Sequence, residues 1–125
     1  MSTVEIPRDQ WSQALDEFSK EHRGWLVTIE VVGSDVGDQV ALTDLPLVGV
    51  SADVKDGENR IAIMAGDEPE AHATHFVESP QRIWIEKSDD PRHDAIAVED
   101  RERHKVIVRF ADGDPDEADR LLSGA

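Results

Sequence analysis

His22-Arg23-Gly24-Trp25-Leu26-Val27-Thr28-Ile29-Glu30-Val31-Val32 is the stretch on which the fold turns, because the hydrophobic period changes inside it from 3.6 residues to 2. Upstream, Trp11, Leu15, Phe18 and His22 recur at spacings of three and four, which predicts an amphipathic helix of about four turns. Pro7 is pre-shaped for the first turn, and Asp9 suits the positive end of the helix dipole. His22 and Arg23 suit the negative end, and Gly24 can take the left-handed conformation that closes a helix. Downstream, Trp25, Val27, Ile29 and Val31 alternate onto one face of a strand.

The alternation continues along the chain. Residues 33–38 are turn chemistry, followed by a short strand around Gln39 to Thr43. Pro46 cannot donate to a central ladder, so Asp44-Leu45-Pro46 predicts a break or edge before a strand from Leu47 to Lys55. Asp56-Gly57-Glu58-Asn59 makes a tight turn into the strand Arg60 to Ala65. A polar loop from Gly66 to Glu70 leads to a short strand from Ala73 to Glu78, and Pro80 separates this from the next. Strands are then expected at Arg82 to Lys87, Ala95 to Glu99 and His104 to Phe110, with turns at Ser88 to Arg92 and Asp100 to Arg103.

Parallel pairing needs crossover helices between strands, and none is predicted here. The expected fold class is therefore α+β: an N-terminal amphipathic helix packed on an antiparallel meander of six or seven strands, forming a curled sheet or small barrel. Residues 1–110 form one domain in this reading. Residues 111–125 are an acidic C-terminal tail, frayed or briefly helical, in which only Leu121 and Leu122 offer apolar burial.

The chain has 125 residues, with 28 Asp and Glu against 13 Lys and Arg, a formal net charge of −15. Phosphate contacts need clustered cations, so this balance excludes a nucleic-acid or anionic-membrane binder. With 16 Asp to 12 Glu and only 4 Lys, short hydrated carboxylates dominate the surface, a texture suited to a high-salt cytoplasm. The absence of cysteine excludes disulfides, thiolate zinc sites, iron–sulfur clusters and a cysteine nucleophile. The first seven residues carry neither a basic nor an apolar leader region, and no stretch approaches the roughly 20 apolar residues of a membrane helix. A cytoplasmic location is expected.

His22-Arg23-Gly24-Trp25, Asp44-Leu45-Pro46-Leu47-Val48-Gly49-Val50, the Ile83-Trp84-Ile85 strand and Val106-Ile107-Val108-Arg109-Phe110 together resemble a family of small bacterial and archaeal proteins known only as a domain of unknown function. The resemblance spans about residues 5–110 and rests on structural motifs. It implies that the chain is a stand-alone version of that domain, and it brings no activity, cofactor or catalytic residue.

Several local patterns carry candidate chemistry. His72 and His75 form the only close histidine pair, with Glu70, Glu78 and the acidic residues 67 and 68 as carboxylate donors, so His72, His75, Glu70 and Glu78 are the candidate metal ligands. On a strand, residues three apart point to opposite faces, which opposes that grouping. His93 and His104 flank strands that could pair. Ser51 in Gly49-Val50-Ser51-Ala52-Asp53 resembles a nucleophile elbow until Asp53 stands where the second glycine belongs, and a hairpin strand is the wrong context. Residues 112–117 begin like a calcium loop but lack its sixth-position glycine and twelfth-position glutamate. Trp84 alternates out of phase with Ile83 and Ile85, so it faces the other side of the sheet and is a candidate interface residue.

These features favour a non-enzymatic interaction or regulatory module that binds a protein partner or itself and needs no cofactor. The alternative is a small-molecule or metal-binding protein with its site near the His72 and His75 acidic loop.

Overall fold

The computed structural model describes residues 2–33, 35, 37–53, 59–66 and 73–110. The one α-helix among the described residues, α1 (Trp11–His22), is entered through a 3-10 turn at Arg8–Gln10. The sequence places Pro7 at the start of the α-helix itself. In the structure the backbone N–H of Gln10 instead donates to Pro7 O at 2.9 Å, so the first turn is tighter. Trp11 then anchors the helix: its Nε1 donates to Ile6 O at 3.0 Å, and the Arg8 guanidinium lies 4.6 Å from its ring centre. Trp11, Leu15, Phe18, Ser19 and His22 are the buried residues of α1, the stripe that the spacing predicts with Ser19 added. Gly24 closes the helix at φ +87°, and its N–H donates to Leu47 O at 2.8 Å.

Eight strands follow or flank this helix: β1 (Ser2–Glu5), β2 (Leu26–Gly33), β3 (Gly37–Asp53), β4 (Arg60–Ala65), β5 (Ala73–Glu78), β6 (Pro80–Lys87), β7 (Ala95–Asp100) and β8 (Lys105–Phe110). All pairings are antiparallel, in the order β1-β6-β7-β8-β2-β3-β4-β5. Two meanders, β2 to β5 and β6 to β8, are thus joined where β8 pairs with β2, and β1 is added outside β6. The sheet is open, with β1 and β5 at its edges, and does not close into a barrel.

The eight strands differ from the expected six or seven by one addition and one merger. β1 is only four residues long and has a single large apolar side chain, Val4, so pairing with β6 rather than local propensity makes it a strand. The expected break at Asp44-Leu45-Pro46 is a kink inside one strand of 17 residues. Asp44 takes φ +57°, and Pro46 falls where β3 passes from β2 to β4, so its missing N–H disrupts little of the ladder. Beyond Asp53, the expected strand end and tight turn at 54–58 lie outside the described residues, as do the expected tail and calcium-like run.

The inner face of the curled sheet carries Val27, Ile29, Ile61, Ile63, Ile83, Ile96 and Val108, all fully buried, with Trp11, Leu15 and Phe18 of α1 packed onto them. Each such side chain contributes about 1.5–3 kcal/mol on burial, several times the value of an exposed ion pair, so the alternation rather than the charge decides the fold. Curling brings β4 and β5 into the same core as β6 to β8 and leaves β5 facing the turn between β7 and β8.

Candidate functional site

The open edge at β5 borders a cleft of about 460 Å³. His75, Phe76 and Glu78 line one side, Val31 and Val106 the floor, and Asp100, Arg101, Glu102 and His104 the other side. Among the described residues β5 pairs only with β4, so its outer edge is an unextended ladder. Phe76 is 46% exposed, with the Arg60 guanidinium 4.7 Å from its ring centre.

His104 fixes the far wall. Its Nε2 lies 2.7 Å from Asp35 Oδ1 and its Nδ1 3.2 Å from Asp100 Oδ2. Carboxylates only accept, so a ring that bonds both carries two protons. Asp35 first and Asp100 next hold His104 above the ordinary imidazole range, against partial desolvation. Asp100 also accepts the N–H groups of Glu102 and His104 at 2.8 and 2.9 Å, which shapes the β7–β8 turn with Arg103 at φ +68°. Gly33 is required beside this ring, since a Cβ there would stand 2.3 Å from His104 Cδ2. Across the cleft, burial pushes His75 below the usual imidazole range.

The metal ligands read from the sequence divide. His75 and Val77 turn inward from β5 while Phe76 and Glu78 turn out, so His75 and Glu78 border the same cleft from opposite faces of one strand. Glu70 and His72 lie outside the described residues. Of the two further histidines, His104 lies in the cleft and His93 in the 3-10 turn Pro91–His93. Ser51 is an exposed residue of β3 opposite Ala62, in an antiparallel hairpin strand rather than at a strand-to-helix turn.

Trp84 faces away from Ile83 and Ile85, as alternation requires, but it is 2% exposed rather than an open platform. It packs in a second small cluster with Ala95, Ala97 and Ile107, and Lys105 Nζ lies 5.0 Å from its ring centre. The sequence gives its face but not its burial, because burial depends on what the folded chain lays over that face.

A different constellation forms at the end of α1. Glu21, His22 and Asp94 place ligand-capable atoms within 4.8 Å of one another, the only such group of three among the described residues. His22 Nδ1 donates to Phe18 O at 2.8 Å, and its Nε2 lies 2.9 Å from Asp94 Oδ2. The other oxygen of Asp94 accepts the Ser88 N–H at 2.7 Å. Lys87 Nζ bonds Glu21 and lies 3.8 Å from Asp94. Phe110 stacks on the His22 ring at 4.7 Å, and Trp25 meets it edge-on at 5.1 Å. The sequence signal was His22 on an otherwise apolar helix face, since a buried imidazole must find polar partners. Asp94, 72 positions away, carries no local mark of that partnership.

The fold and these sites define a small helix-bearing protein with an open antiparallel sheet. The chain belongs to the family of unknown function DUF5335, whose family model matches residues 2–119. It is similar to an uncharacterized protein of Aquifex aeolicus (strain VF5), 34% identical over 110 residues, covering 88% of this chain and 93% of that relative. No solved structure matches it.

Proposed function

We propose that the protein is a non-enzymatic interaction module of the cytoplasm that receives an extended, basic peptide segment along the free edge of β5. The observation that carries this reading is the cleft itself: an edge strand with an exposed aromatic faces a wall bearing Asp100 and Glu102. Strand addition supplies main-chain hydrogen bonds to such an edge, while flanking pockets read alternate side chains. Asp100 is taken up by His104, so Glu78 and Glu102 are the carboxylates that favour Lys and Arg in the partner, and the net charge of −15 steers its approach. A second copy of this chain would bring like charge to the same edge. No helix among the described residues is long and apolar enough to cross a membrane.

The test uses two soluble peptides with alternating valines, one with lysine and one with glutamate at the intervening positions. Fluorescence anisotropy should detect the lysine peptide alone, and Glu78→Lys should weaken it. Bound peptide should slow amide exchange in residues 73–78. Equal affinity for both peptides, or slowed exchange elsewhere with β5 unchanged, overturns the reading. Concentration-dependent dimerisation that slows the same amides would identify a second copy as the occupant instead.

A further inference from the structure

We propose that Glu21, His22 and Asp94 form a binding site for a divalent transition cation of the zinc type, with Lys87 as its built-in competitor. Phe18 O can only accept, so His22 Nδ1 carries a hydrogen, and Nε2 is the atom that faces Asp94. A metal-binding histidine is commonly oriented in this way, with one nitrogen donating to a backbone carbonyl and the other presented to the ion. Asp94 is oriented likewise, one oxygen held by the Ser88 N–H and the other turned to His22.

The spacing suits a shared ion. In tetrahedral coordination neighbouring ligands at 2.0–2.2 Å from a metal are about 3.4 Å apart, so His22 Nε2 and Asp94 Oδ2, now 2.9 Å apart across a hydrogen bond, need to part by only about half an ångström to admit the ion. Glu21 supplies the third ligand atom from the preceding helical position and, being half exposed, gives the route of entry. Glu21 and Lys87 also border an open groove of about 290 Å³ between α1, β1 and β6. One imidazole with two carboxylates selects zinc, cobalt or manganese over calcium, which prefers oxygen alone.

Charge is conserved in the exchange. The site now holds two carboxylates against the Lys87 ammonium and the one proton shared by His22 and Asp94. A divalent cation would replace both positive charges: the shared proton leaves to solvent, a bond forms from Nε2 to the metal, and the half-exposed Lys87 swings away. No oxidant or further reactant is needed.

Titration of the intact chain with zinc chloride, followed calorimetrically in two buffers of different ionisation enthalpy, tests this. The expected result is a 1:1 event that releases about one proton, weakened about tenfold or more in Glu21→Gln. Lys87→Met should tighten the same event by removing the competitor. Both substitutions are at half-exposed positions, so the fold should survive them, and magnesium should give no such event. Cobalt in place of zinc should show visible absorption that is lost in Glu21→Gln. Zinc binding unchanged by either substitution would overturn the proposal and leave Glu21, His22, Lys87 and Asp94 as an ion-paired clamp.

Discussion

Replacing Asp94 with alanine and, separately, with asparagine separates two accounts of its pairing with His22. The side chains of His22 and Asp94 are 0% and 3% exposed, so neither can turn to water. Alanine removes the acceptor facing Nε2 and also leaves the Ser88 N–H without its partner. Breaking one side of a buried pair costs about 3–5 kcal/mol, because the remaining polar group stays desolvated. The Lys87 contact adds little, since that ammonium is 45% exposed and retains Glu21. Asparagine is different. Its Oδ1 still accepts from Ser88, and its Nδ2 donates to a neutral His22 ring whose only hydrogen is on Nδ1, so every group stays paired. The expected cost is about 1 kcal/mol or less. Urea unfolding followed by tryptophan fluorescence measures both, with Trp25 lying edge-on to His22 as the local reporter. If the alanine variant lies within about 1 kcal/mol of the native chain, or if asparagine costs as much as alanine, the hydrogen-bond accounting is refuted.

Three further outcomes are expected. Ser19→Ala should cost about 1–3 kcal/mol in the same assay, because the Ser19 hydroxyl accepts the Val50 N–H at 2.8 Å and its loss leaves that donor buried between α1 and β3. His104 is held above its unfolded value, so its stabilising contribution is full below about pH 6.5 and fades as pH rises through the folded value. The gap in unfolding midpoint between the native chain and Asp35→Asn should therefore narrow with rising pH, and Gly33→Ala should behave like Asp35→Asn because its Cβ displaces the His104 ring; a constant gap counts against the linkage. Potassium chloride from low to molar concentration should raise thermal stability by screening the self-repulsion of a −15 chain, and a flat response would show that the charges are already locally balanced.

The elements legible in the sequence are those whose pattern is local. α1 announces itself through Trp11, Leu15, Phe18 and His22, and β4, β6 and β8 through alternation bounded by turn residues. β1 is illegible because Thr3 and Glu5 become strand only by pairing with Glu86 and Trp84. The continuity of β3 is hidden because Pro46 argues for a break until the change of ladder partner is known. The Asp94 partnership is non-local in the same way. His75 was legible as a polar strand residue, but its place on a cleft facing His104 follows from the curl of the sheet, which alternation does not specify.

The position of β1 also sets an order of assembly. During synthesis β1 is made first, yet Thr3 meets Glu86, 83 positions further along, only after β6 has left the ribosome. Until then Val4 and the hydrogen-bonding groups of β1 have no ladder to join, and the β2–β8 pairing, with Val27 and Phe110 likewise 83 positions apart, closes later still. Bulky additions fused just before β1 should therefore act on the docking of β1 onto β6, slowing it while leaving the helix and the β2–β5 meander free to form.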